Sequence, residues 1–123
     1  MPFPNLVDYA MTITVASGQS LSAAVDLNGS RLLGLICPTA IEATTVQVSF
    51  WASDALAGTY TQVKKNGTAV TMTFAINDFN MLTSAADLAG VRFLKIRCET
   101  TVPAAVAQTS DRVFKIIRAY PGV

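Results

Sequence analysis

Runs of five to eight residues rich in Val, Ile, Thr, Phe and Tyr recur along the chain, and clusters of Gly, Pro, Asn, Asp or Ser cut them about every ten residues. This rhythm predicts strands over 11–16, 21–27, 32–37, 45–52, 60–64, 69–76, 91–99 and 112–119, with a shorter candidate over 79–83. No long helical period interrupts them, and residues 84–88 have room for one turn at most. Between the fifth and sixth runs, Lys65-Asn66-Gly67-Thr68 predicts a tight hairpin, because Asn-Gly tolerates two successive positive φ angles. Eight or nine antiparallel strands in one domain over 11–123 predict an all-β, single-domain antiparallel β-sandwich, with a jelly roll as the commonest arrangement.

Alternation with period two assigns the faces. In the fourth run Val46, Val48 and Phe50 point to a core, and Gln47, Ser49 and Trp51 point away. The same reading turns Val70, Met72, Phe74 and Ile76 inward, then Leu94, Ile96 and Cys98, leaving Phe93, Lys95 and Arg97 outside. In the last run either Phe114 with Ile116 or Val113 with Ile117 can be the core pair, and the pattern alone leaves both open. Residues 1–10 differ from the rest. Pro2 and Pro4 lack donors and keep Phe3 out of a regular ladder, so this stretch reads as an extended N-terminal arm. Its apolar side chains Phe3, Leu6, Val7 and Tyr9 then need a pocket on a neighbouring molecule.

Composition narrows the function. The chain has 123 residues, 51% of them hydrophobic, enough for one core without a disulfide or metal staple. Charged residues make up 14% and the net charge is +1, which argues against a nucleic-acid partner. So few ionic side chains imply a surface partly covered by other chains. His is absent, which removes the commonest general base near neutral pH and the commonest transition-metal ligand. No Gly-x-Ser-x-Gly elbow or Ser-x-x-Lys occurs, and Asp54, Asp78, Asp87 and Asp111 sit beside turn residues, where Asp is common, rather than as catalytic or calcium-binding pairs. The expectation is a protein that is not an enzyme, with no cofactor, no metal and no catalytic residue. No run of eighteen apolar residues occurs and the first residues lack a basic, apolar leader, so no membrane partner and a cytoplasmic site of synthesis are expected. Cys37 and Cys98, each inside an apolar run, read as buried thiols.

Two groups remain for partner contact. Trp51 and Tyr60 lie on neighbouring runs, and an outward Trp can stack on a sugar or fill a partner's pocket. Charge is also uneven: through Val91 there are three basic and six acidic residues, and from Arg92 onward six basic and two acidic. If the last two long strands pair, Lys95, Arg97 and Lys115 come together as a basic patch suited to an acidic protein surface.

Several segments carry a resemblance. They are Thr12-Ile13-Thr14-Val15-Ala16-Ser17-Gly18-Gln19-Ser20-Leu21-Ser22, Val25-Asp26-Leu27 with Arg31-Leu32-Leu33-Gly34-Leu35, Phe50-Trp51-Ala52-Ser53 with Gly58-Thr59-Tyr60, Leu88-Ala89-Gly90-Val91-Arg92-Phe93-Leu94-Lys95-Ile96-Arg97, and Val106-Ala107-Gln108 before Asp111-Arg112. The pattern resembles small structural proteins encoded among the head and tail genes of tailed bacteriophages. It is also similar to carbohydrate-binding jelly rolls of the discoidin kind, from whose Asp-Gly-Gly spacing Ser53-Asp54-Ala55-Leu56-Ala57-Gly58 departs. The phage resemblance implies a non-enzymatic virion protein assembled in the host cytoplasm, most plainly a capsid decoration or cement protein that binds the major capsid protein as a homotrimer. A neck, tail or baseplate adaptor, or outside the virion a sugar-binding module, are the alternatives it leaves.

Overall fold

The computed structural model describes residues 6–120. In the first sheet β1 (Leu6–Asp8) and β2 (Thr12–Val15) lie end to end along one side of β12 (Arg112–Tyr120). On its other side β12 pairs with β4 (Arg31–Ile36), which carries β10 (Phe79–Met81) at the edge. The second sheet runs from β3 (Val25–Asp26) through β11 (Phe93–Glu99) to β5 (Gln47–Ser53). Along the far side of β5 lie β6 (Thr61–Gln62) and β9 (Thr71–Thr73), again end to end. Between those two the chain leaves the sheet as the hairpin β7 (Lys64–Lys65) and β8 (Thr68–Ala69), with φ at 51° for Asn66 and 79° for Gly67, as its predicted turn requires.

Every pairing is antiparallel. With β1–β2 and β6–β9 each counted as one interrupted strand, the eight strands are ordered 1-8-3-6 in the first sheet and 2-7-4-5 in the second. Partners therefore nest, first with eighth, second with seventh, third with sixth and fourth with fifth, which is the jelly-roll order. The predicted fold class is the observed one.

The core fills the space between the sheets. Ile13, Val15, Leu32, Leu35, Phe114 and Ile116 come from the first sheet, and Val48, Phe50, Met72, Leu94, Ile96 and Cys98 from the second. Leu32 and Leu35 both point inward, although three positions apart, because the register between β4 and β12 shifts at Ile117/Arg118 and leaves Leu33 as an extra residue. Phe114 and Ile116 are the core pair of β12. On its other face Ile117 is buried and Val113 is 46% exposed, so cover there is partial.

Three expectations need correction. Ile76 is exposed, because β9 ends at Thr73 and the chain turns through Asn77 at φ 64°, with the Asp78 carboxylate accepting from the Ala75 N–H. Alternation cannot continue through that turn. Residues 1–10 are not wholly an arm outside the sheet, since Leu6–Asp8 pairs with β12 and Arg118 donates to Asp8 at 2.9 Å. The long strands β11 and β12 do not pair with one another; nesting sends the seventh and eighth strands to opposite sheets.

Cys37 and Cys98 are buried free thiols. Burial pushes both up to about 12, with the Asp78 charge adding to the effect at Cys37. Neither is therefore expected to react within minutes with a thiol reagent at pH 8 in the native protein, and both are expected to react after denaturation. Mass spectrometry of the labelled chain checks this, and fast native labelling of either thiol would contradict its burial.

Candidate functional site

Of the partner-contact residues singled out in the sequence, those whose side chains are described fall on two outer faces on opposite sides of the sandwich. On the second sheet, β11 turns Phe93, Lys95, Arg97 and Glu99 outward, beside Gln47, Ser49, Trp51 and Ser53 of β5. The register places Lys95 opposite Trp51, Arg97 opposite Ser49 and Glu99 opposite Gln47. Long cationic side chains lie over aromatic rings: Arg97 at 5.0 Å from the Trp51 ring, Lys95 at 4.6 Å from Tyr60 and Arg92 at 4.9 Å from Phe93. Trp51, Tyr60, Lys95 and Arg97 are thus brought together, as the sequence suggested for two separate pairs.

Glu99 anchors this surface; in the sequence it read as a local ion-pair partner for the basic strand residues and not as a site residue. Although it is on the outward side of β11, its side chain is fully buried. It accepts from Ser49 Oγ at 2.5 Å and from Gln47 Nε2 at 3.0 Å, and Arg97 lies 2.7 Å away as an ion pair. Trp51 Nε1 donates to Ser49 Oγ at 3.0 Å, so the indole is tied to the same network. Burial on its own raises the carboxyl pKa. Hydrogen bonds from Ser49, Gln47 and Arg97, together with the Arg97 charge, outweigh burial and hold Glu99 below its ordinary value. No sequence signal marked it, because its partners Gln47 and Ser49 belong to β5, whose pairing with β11 the pattern does not show.

The outer face of the first sheet carries an apolar patch. In register across it stand Val7 with Ala119, Ile117 with Gly34 and Met81, and Ile36 with Phe79. Val113 extends the face along β12. Tyr9, just past β1, meets Phe79 edge to face, with ring centroids 6.1 Å apart, so an aromatic bridge reaches from the β1 side to β10. Beneath it Gly34 has no room for a side chain: a Cβ there would stand 2.9 Å from Met81 Cα and against the Asn80 carbonyl oxygen. Five of the eight large hydrophobic side chains exposed among the described residues, Val7, Tyr9, Phe79, Met81 and Val113, lie on this face. These five are concentrated on one face and not scattered singly over the surface. Lys115, opposite Ile36, forms no ion pair among the described residues. Past it the face runs into a groove of about 480 Å³ lined by Ile36, Cys37, Pro38, Asn77, Arg112 and Val113 among others.

Val7, Tyr9 and Lys115 therefore belong to one surface, and Trp51, Tyr60, Lys95 and Arg97 to the other. The basic patch expected from Lys95, Arg97 and Lys115 does not form, because those strands lie in different sheets. Phe3 lies outside the described residues, as does the side chain of Leu6. Phe79, Met81 and Ile36 were missed; the apolar alternation of Phe79-Asn80-Met81 was their signal, in a run too short to stand out.

Of the four candidate acids one serves a local turn, two hold distant segments and one is exposed. Asp78 accepts from Ala75 N, Asp111 accepts from Ser17 N at 2.8 Å, Asp87 pairs with Lys65 at 3.0 Å, and Asp54 is exposed. No cluster of three metal-ligating side chains occurs among the described residues. No family model, curated protein or solved structure matches the chain.

Proposed function

We propose that the chain is a non-enzymatic structural protein of a tailed-phage virion, a decoration protein that binds the head shell through the outer face of its first sheet and reinforces it. The observation that carries the docking surface is the concentration of Val7, Tyr9, Phe79, Met81 and Val113 on that face. A soluble monomer has no use for so many large apolar groups on one side, and burying each is worth on the order of 1.5 to 3 kcal/mol. The sequence resemblance supplies the virion, and an eight-stranded jelly roll is compatible with it.

A sugar-binding reading draws on Trp51 and Tyr60 on the opposite face. Arg97 and Lys95 already lie over those rings, while Trp51 Nε1 is committed to Ser49 and the Tyr60 hydroxyl to the Leu56 carbonyl. That leaves few free donors to fix a glycan, and the apolar face is the stronger candidate.

Electron cryo-microscopy of phage particles that carry the gene tests the proposal. The expected result is sandwich-shaped density on the head with the first sheet facing the shell, lost in particles whose gene carries Val113→Glu. Particles that lack the chain, or a chain seated by its second sheet, would overturn it.

A further inference from the structure

Among the described residues β10 is the outermost strand of the first sheet and pairs only with β4. The direction of its backbone groups follows from its ladder. The Asp78 carbonyl accepts from Cys37 N at 2.8 Å and the Leu82 N–H donates to the Leu33 carbonyl at 2.8 Å, so even-numbered residues face β4. By the alternation of an antiparallel ladder, the N–H and C=O groups of Phe79 and Met81 point away from the sheet. Their side chains are 67% and 52% exposed. Soluble proteins guard such an edge with a charge, a proline or a bulge, and Phe79-Asn80-Met81 has none of these. Of the other sheet margins, β1 carries Asp8, β3 carries Asp26 with Arg92, and Lys64 and Lys65 lie beside β6, whereas β2 and β9 present threonines.

We infer that β10 pairs antiparallel with β10 of a second copy across a two-fold axis through Asn80, so that two first sheets become one continuous sheet. The edge is self-complementary. With Asn80 opposite Asn80 of the second copy, Phe79 stands opposite Met81 of that copy and the reverse, and the outward donors and acceptors of each residue meet those of the other. The four exposed side chains then cluster on one face as sulfur–aromatic cross-strand pairs. None of the three strand residues is charged, and the Asp78 carboxylate beside Phe79 is engaged by the Ala75 N–H. The contact is isologous and closes on itself, in place of the three copies the resemblance implies, and it does not depend on the protein docking to a shell.

Sedimentation equilibrium of the full chain, with hydrogen exchange of the Phe79 and Met81 amides, tests the pairing. A dimer is expected, with both amides more protected at high than at low protein concentration. Phe79→Lys and Met81→Lys should each raise the dimer dissociation constant at least tenfold, about 1.4 kcal/mol. Leu56→Lys, an equivalent change at an exposed residue distant from β10, should leave it unaltered. A monomer at all concentrations up to about 1 mM, a trimer, or an assembly that survives both lysine variants would overturn the inference. If those variants do not fold, amide protection in the native chain decides it: exchange independent of concentration refutes the pairing. A monomer that still decorates particles overturns this inference alone, and a dimer that decorates none overturns only the proposed function.

Discussion

Glu99→Ala is expected to destabilise the protein by roughly 3 kcal/mol, the lower end of the range for removing one partner of a buried ion pair. The lower end applies because the Arg97 side chain keeps 25% of its surface exposed and can swing to water. Ser49 Oγ and Gln47 Nε2 then lose their acceptor on the same surface. Glu99→Gln should cost less, since it keeps the shape and an oxygen acceptor. The chain has one Trp, and Trp51 Nε1 is joined to the carboxylate through Ser49, so its fluorescence should change with the loss of the network as well as with unfolding. Acid provides an independent check. Glu99 has a folded pKa below its ordinary 4.5, so its stabilising contribution is fully present above about that pH and is lost as pH falls through the depressed value. Denaturant midpoints of the native protein should drop over that window, and those of Glu99→Gln should drop less. Equal acid sensitivity in the two would show that the carboxylate is not what responds.

Phe114→Ala is the other change of large effect, with an expected loss of about 3–5 kcal/mol and a fall in Tm of roughly 10–25 °C. Phe114 is fully buried near the start of β12, and its ring meets Phe74, the residue just after β9, at 5.6 Å and an interplanar angle of 84°. Removing it opens a cavity between two sheets that are each fixed by their own ladders, so collapse cannot fill the space. Val113, one residue earlier, points the other way, and Val113→Ala should cost under about 1 kcal/mol. Similar losses from both variants would mean that β12 is turned over.

Strand positions were readable because period-two alternation survives wherever one face of a strand meets the core. Val48 and Phe50, Met72 and Phe74, and Leu94, Ile96 and Cys98 all face inward as predicted. Pairing of distant strands was not readable, since a ladder between the first and eighth strands leaves no mark of its partner in either segment. That gap produced the misplaced patch of Lys95, Arg97 and Lys115. The outer faces were hard to read for a different reason. Alternation reports only which way a side chain points, and takes outward to mean solvated, yet Glu99 points outward and is buried, and Phe79 and Met81 point outward and are apolar. In each case the deciding neighbours come from another strand: Ser49 and Gln47 for Glu99, and Ile36 and Gly34 for the β10 pair.

The nested order also sets when each sheet can close. Trp51 and Gln62 are register partners a short loop apart, whereas Thr12 waits for Lys115, roughly a hundred positions later, and Val7 waits for Ala119. Loop-closure entropy and the rate penalty on distant contacts place the β5–β6 pairing early and the closure of the first sheet last. During synthesis, β4 and β10 can join long before β12 leaves the ribosome. Until then the opposite margin of β4, now covered by β12, stands open to any other nascent chain nearby. A cell translating many copies from one message would present that margin repeatedly and in close quarters, so tangling between neighbours on a polysome is the hazard this topology carries.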